Sequence, residues 1–366
     1  MNIKTDHLNF AVGPVMMSDS IRQMSVDRIP YFRTSDFSQL MLENERILKD
    51  LMGAPENAKA VFLTGSGTAA MDAAVNNLFN ADDKLIIVNG GSFGHRFCEI
   101  ADAYGIAYQA IELECGKALK REHLEPFASQ SFTGLLINMG ETSTGVCYDM
   151  DMVGSFCREN GLVLVVDAIS TFLSDELNMA QIGADVVLTG SQKALAVAPG
   201  ISMMVLSHRA VERVMANKPQ CYYLDLKPAL KNQERGQTPF TPAVGILIQI
   251  NARLCQIAAD GIEVERSRIV AVANDFRSRI RRYPFTIVSE SLSNTVTPLA
   301  PINPEVDAYQ IFQVLKDEYD IIVCPNGGEM AHKVFRVGHI GALTVADNDK
   351  LFAALDDLVA RGIIRE

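Results

Sequence analysis

Between Lys59 and Gly190 short apolar runs alternate with segments of helical periodicity, and that alternation calls for an open, largely parallel α/β sheet. The runs VFLT at 61–64, LIIV at 85–88, GLLIN at 134–138, LVLVVDA at 162–168 and ADVVLTG at 184–190 read as strands apolar on both faces. TAAMDAAVNNLF, RFCEIADAYG and MDMVGSFCREN fall between them and repeat apolar residues at helical spacing. Helices are therefore expected on both faces of a doubly wound sheet. ISMMVLS at 201–207 adds one strand, expected antiparallel because only a short loop separates it from the preceding run.

A chain of 366 residues exceeds what one hydrophobic core usually organises. After the polar, Pro-bearing stretch 227–242, residues 243–283 form a long helical pattern with Gly261 as an interruption. This helix reads as a connector to a smaller α+β unit built from TIVSESLSNTVTPLAPI, the helix AYQIFQVLKDEY, the strands IIVCP and KVFRVG, and a terminal helix ADNDKLFAALDDLVARG. The expected division is a large domain over 1–242 and a connecting helix with a small C-terminal α+β domain over 243–366.

The net charge of −11, from 44 acidic against 33 basic residues, comes without a basic run, so no nucleic-acid partner is expected. The seven cysteines are odd in number and contain no C-x-x-C pair, which reads as reduced thiols in the cytoplasm without a zinc or other metal site. The stretch MNIKTDHLNF lacks the apolar core of a signal peptide, and no run approaches the roughly 20 apolar residues of a membrane helix. No membrane partner is expected.

Three segments carry chemistry. TGSGTAA at 64–70 is a glycine-rich turn between a strand and a helix, where free N–H groups bind an anion or simply make a tight connection. It also fits G-x-G-x-x-A, but a dinucleotide site needs an acidic residue closing the next strand, and LIIV ends in Asn89. In LVLVVDAIS five apolar residues run into Asp167 at the carboxyl end of a central strand, where open α/β sheets place ligands; a helix cap or turn aspartate is the alternative. TGSQKAL puts Lys193 just past another strand, a place where a lysine by itself is usually a solvated surface residue.

Together the three meet the needs of a pyridoxal 5'-phosphate site: an amine for a Schiff base, a carboxylate that keeps the pyridine nitrogen protonated, and an anion cradle for the phosphate. NGGSFGHRF at 89–97 adds Phe93, either a ring that covers one face of a planar cofactor or a core phenylalanine.

FAVGPVMMS, FLTGSGTAAMDAAV, VNGGSFGHR, GETSTGV, VVDAIST, TGSQKALAVAPG and FRVGHIG span nearly the whole chain. In this set the sequence resembles the class V aminotransferases of fold type I, especially the alanine-glyoxylate, serine-glyoxylate and 2-aminoethylphosphonate-pyruvate group. The resemblance implies a fold type I PLP-dependent transferase in which Ser66, Gly67 and Thr68 bind the cofactor phosphate and Gln192 supports that side. Phe93 and Ile169 would pack on the two ring faces, Thr142 would hydrogen-bond the ring hydroxyl, and Asp167 would pair with the pyridine nitrogen. Lys193 would hold the cofactor and act as general base and acid. Arg336 would bind the substrate carboxylate, and the turn Val12–Pro14 with Gly13 would line the substrate pocket. In relatives a polar segment before the long helix reaches the partner subunit's phosphate. QTPFTPA stands there, with Thr241 as first candidate and Thr238 as second.

The implied activity is transfer of an amino group from a small amino donor (alanine, serine or 2-aminoethylphosphonate) to a 2-oxo acid such as pyruvate or glyoxylate, by a ping-pong mechanism in a cytoplasmic homodimer. Two rivals are set against it. A desulfurase-type lyase would need Cys324 as nucleophile, yet IIVCPNGG lacks the small-residue context of such a loop. A non-catalytic PLP-binding regulator would need an appended DNA-binding segment, which the sequence lacks.

Overall fold

A computed structural model describes residues 6–366; residues 1–5, half of the stretch read for a signal peptide, lie outside the described residues. Seven strands form the main sheet, in the spatial order Lys59–Thr64, Ile201–Leu206, Val186–Gly190, Val163–Asp167, Gly134–Asn138, Lys84–Asn89, Ala107–Glu112. Ile201–Leu206 runs antiparallel to both neighbours and the other pairs are parallel. The four strands at 134–138, 163–167, 186–190 and 201–206 are buried at every residue, which is why they read as unbroken apolar runs. The edge strand Ala107–Glu112 was not among the expected ones. Only Ile111 is fully buried there, so AYQAIE carries no apolar run to notice.

Alternation along each strand sends one set of side chains to either face. Phe62, Ile86, Leu135, Leu164 and Met203 pack with helices Ser35–Leu51, Met150–Glu159 and Val244–Asp260. Val61, Leu85, Leu136, Val165 and Met204 pack on the other face with helices Gly67–Leu78, Ser92–Tyr104 and His208–Ala216. Helix Ser35–Leu51 was likewise not singled out by its sequence. Thr34 caps it by accepting from the Phe37 N–H, and Phe37, Met41, Ile47 and Leu48 bury one face among charged neighbours.

The pattern at 243–283 resolves into helices Val244–Asp260 and Ile262–Ile280, broken at Gly261, whose φ of +90° suits glycine. The first helix buries Leu247, Ile250 and Leu254 in the large-sheet core, and the second buries Phe276 in the small one. Phe285–Ile287, Val296–Pro301, Phe335–Gly338 and Cys324–Pro325 make a four-stranded antiparallel sheet in that order, covered by helices Ala308–Tyr319 and Val345–Ala360. IIVCP is thus two short strands rather than one: Ile321–Ile322 pairs instead with Leu8–Asn9. Within the polar stretch 227–242 the chain opens on a helix, Leu226–Gln233.

From that pairing the N-terminal segment buries Phe10 in the small-domain core and then crosses to the carboxyl ends of the main strands. The Val12 carbonyl accepts a hydrogen bond from Lys193 Nζ at 2.9 Å.

Candidate active site

The residues around Lys193 and Asp167 follow the carboxyl ends of strands of the main sheet. After Lys59–Thr64 the chain turns through Gly65 and Ser66 into helix Gly67–Leu78, and the Ser66 side chain does not cap that helix. Its first-turn N–H groups can serve a ligand. A β-carbon at Gly67 would stand 2.5 Å from Ile169 Cδ1, so the turn and the loop after Asp167 approach as closely as they do only because the side chain is absent.

After Lys84–Asn89 comes helix Ser92–Tyr104, carrying Phe93. Its N-terminus is closed by the buried carboxylate of Glu141, which accepts from the N–H groups of Phe93 at 3.1 Å and Gly94 at 3.0 Å. The Ser143 N–H donates to the same carboxylate at 3.1 Å. A β-carbon at Gly91 would collide with Ser143 and Glu141, and one at Gly90 with the Tyr148 hydroxyl, which accounts for the glycine pair in NGGSFG.

Asp167 ends the central strand in a buried position. Its Oδ1 accepts from the Ile169 N–H at 2.8 Å and its Oδ2 from Asn138 Nδ2 at 3.0 Å, so both oxygens are fixed. Burial pushes its pKa up from 3.8 to about 6, against the pull of those two hydrogen bonds. A cationic N–H beside this carboxyl would restore the charged form.

Lys193 follows Val186–Gly190. Burial holds its pKa below the usual lysine value, with Asp167 opposing, and its Nζ lies 6.0 Å from the centre of the Phe93 ring. A β-carbon at Gly13 would come within 2.7 Å of Lys193 Cδ, so the Val12–Pro14 turn lies directly on the lysine. A lowered lysine pKa favours the nucleophilic, proton-accepting form of the amine.

Ser66, Gly67, Thr68, Phe93, Thr142, Asp167, Ile169, Gln192 and Lys193 line one cavity of about 190 Å³. Met71, Arg96 and Ser170 line it too and were missed by sequence reasoning. The available signal was helical spacing: Met71 is four residues after Gly67 and Arg96 three after Phe93. Asn138 was also missed, although its strand places it directly beside Asp167.

Arg336 reaches the site from the small domain. Phe335 and Val337 point into that domain's core, while Arg336 Nη1 donates to the Thr142 carbonyl at 3.0 Å and Nη2 to the Pro325 carbonyl at 2.7 Å. Its Nε is buried and unpartnered. Cys324 lies opposite Arg336 on the adjacent strand, held by sheet pairing rather than on a free loop. Thr241 is not brought into the cavity. It is exposed beside a separate depression lined by Tyr223, Phe240 and Phe62, and the Thr238 hydroxyl is spent on the Phe240 carbonyl at 2.7 Å.

The donor set suits pyridoxal phosphate. The cavity holds an amine, a buried carboxyl whose charge calls for a cation, an uncapped helix start, and the Gln192 Oε1 atom, buried with no partner among the described residues.

The family model described as Aminotransferase class-V matches residues 23–340. Among curated relatives, the soluble hydrogenase 42 kDa subunit of Anabaena cylindrica is 30% identical over 88% of this chain and 85% of its own length. L-aspartate–glyoxylate aminotransferase of Paracoccus denitrificans is 26% identical over 79% of this chain and 75% of its own. The solved structure of alanine–glyoxylate aminotransferase from Nostoc sp. superposes with a TM-score of 0.92 at 26% identity, covering 98% of this chain and 96% of that one. The chain therefore belongs to the class-V aminotransferases, and it is a fold type I enzyme that moves an amino group with the help of pyridoxal phosphate.

Proposed function

We propose that this cavity transfers the amino group of a small donor, alanine, serine or 2-aminoethylphosphonate, to glyoxylate or pyruvate. The observation that carries the reading is the convergence of Lys193, Asp167 and the Ser66–Thr68 turn on one cavity, with a buried arginine entering from the small domain. The printed activities of the Paracoccus and Nostoc relatives support a glyoxylate acceptor.

When bound, pyridoxal phosphate supplies a carbonyl carbon that takes up the amine and a ring that accepts the electron pair released at the donor's α-carbon. The turn Ser66–Thr68 and Gln192 hold its phosphate, Phe93 and Ile169 cover the ring faces, and Thr142 meets the ring hydroxyl. Asp167, oriented through both oxygens, keeps a proton on the ring nitrogen. Lys193 Nζ would hold the cofactor through its amine and, once freed by the donor amine, would be the group that carries the donor's α-proton. Arg336 would bind the substrate carboxylate through Nε, which has no partner among the described residues, and the second hydrogen of Nη2, since only one hydrogen of each Nη is given to Thr142 and Pro325. The division of labour follows the chain: 1–242 holds the cofactor and 243–366 brings the carboxylate clamp.

The same reading includes a cytoplasmic homodimer. Tyr31, Ile29 and Val26 are exposed at 69, 70 and 87%. Arg33 beside them donates to the carbonyls of Thr238 and Pro239, and Tyr223 stacks on Phe240, so this apolar surface surrounds Thr241. A second copy covering it would receive Thr241 near its own phosphate turn. Free thiols at all seven cysteines fit a reducing compartment, and no helix among the described residues is long and apolar enough to cross a membrane.

The test is a screen of amino donors without acceptor, following loss of the visible absorbance of the holoenzyme and release of one carbonyl product per subunit, a 2-oxo acid from alanine or serine and an aldehyde from 2-aminoethylphosphonate. Alanine, serine or 2-aminoethylphosphonate should react. If none does while another class of amine bleaches the enzyme, the donor assignment is wrong.

A further inference from the structure

We propose that Arg96 is the cationic partner of the cofactor phosphate, an inference that rests on the reading of the cavity given above. Arg96 stands one helical turn after Phe93 on Ser92–Tyr104 and lines the same cavity as Ser66, Gly67 and Thr68. Its Nη1 donates to Thr68 Oγ1 at 3.4 Å, and its guanidinium lies over the Phe93 ring, 4.8 Å from the centroid. One end of this side chain thus touches the anion cradle and its plane is set by the ring that covers the cofactor. Among the described residues no carboxylate pairs with it.

The charge balance of the cavity gives the arginine its role. A phosphate monoester carries a charge of about −1.5 to −2 near neutral pH. Ser66, Gly67, Thr68 and Gln192 offer only neutral donors. Arg336 is bound to the carbonyls of Thr142 and Pro325, on the side of the small domain. Lys193 Nζ donates to the Val12 carbonyl and is the atom that must stay free for the amine chemistry. The N-terminus of helix Ser92–Tyr104 is closed by Glu141, so its dipole is not available to a second anion. Among the described residues lining the cavity, Arg96 is the remaining cation beside the Thr68 turn. Its planar fork can hold two phosphate oxygens while it stays stacked on Phe93.

The test compares two ligands that differ only in the phosphate. Resolved apoenzyme is titrated with pyridoxal phosphate and with pyridoxal, reading the visible absorbance, for the wild type, Arg96→Gln and Arg96→Lys. Arg96→Gln should weaken pyridoxal phosphate by at least about tenfold, the scale of one charge-assisted hydrogen bond, and leave pyridoxal within about twofold. Arg96→Lys should recover part of the loss by restoring the charge. Circular dichroism of each apo variant reports folding, and the lysine variant carries the comparison if the glutamine variant does not fold. Equal losses for both ligands would overturn the proposal and make Arg96 a prop for Phe93. Unchanged cofactor affinity with a raised KM for an anionic substrate would overturn it in favour of a substrate role. A wild-type protein that takes up pyridoxal but gains nothing from the phosphate would overturn it while leaving the cavity assignment standing, whereas uptake of neither ligand would bring down both.

Discussion

Replacing Asp167 by asparagine tests the site before any substrate is added. The carboxyl is buried, and its pKa is raised from 3.8 to about 6 because burial outweighs the hydrogen bonds from Ile169 and Asn138. A group whose pKa is higher in the folded state favours folding when protonated. That contribution is fully present below 3.8 and is lost as pH rises through about 6. A rise from 3.8 to about 6 corresponds to about 3 kcal/mol over the whole window, of which roughly half falls between pH 5 and 8. Asparagine keeps the shape and cannot titrate. In denaturant titrations of the two apoenzymes, wild type should therefore lose on the order of 1 kcal/mol relative to Asp167→Asn between pH 5 and 8. Pyridoxal phosphate should reverse the order at pH 8, because the ring N–H⁺ needs the carboxylate, and turnover of the variant should fall by several orders of magnitude. Parallel stability profiles for the two apoenzymes would refute the argument that Asp167 is a strained, cation-seeking carboxyl.

Three further outcomes follow from particular contacts. Arg336→Lys should raise KM for carboxylate substrates by at least about tenfold with the cofactor spectrum unchanged, because an ammonium cannot reproduce the fork that engages Thr142, Pro325 and a substrate together; unaltered KM in steady-state assays would remove it from the site. Gly67→Ala puts a methyl 2.5 Å from Ile169 Cδ1 and should weaken cofactor binding at least about tenfold, read by absorbance titration, with little change in secondary structure. Light scattering should give twice the 40.1 kDa chain mass, and Ile29→Asp should both shift the protein towards monomer and lower cofactor affinity; a fully active monomer would contradict the shared site.

The strands were legible where burial on both faces forces continuous apolar sequence, as in LVLVVD and VVLTG, and illegible at Ala107–Glu112, where the sheet edge leaves most side chains in contact with solvent. IIVCP looked like one strand because its apolar residues are contiguous. The pairing partner changes at Val323, however, and no local pattern encodes that. Site residues that end strands could be read in order because a parallel sheet brings all its carboxyl ends to one edge. Glu141 is different in kind. It caps a helix 48 residues earlier in the sequence, an approach set by the packing of two loops, so GETSTG alone does not announce it. Helix Ser35–Leu51 was legible in principle, for its buried positions repeat at helical spacing, yet Asp36, Glu43, Glu45 and Arg46 dilute the apolar stripe.

The central claim is that Lys193 carries the cofactor. Treating the holoenzyme with borohydride and mapping the modified peptide by mass spectrometry tests it most directly. The pyridoxyl group should appear on Lys193 in the SQKAL peptide at one per chain, and Lys193→Ala should take up none. A stoichiometric adduct on any other lysine would contradict the account.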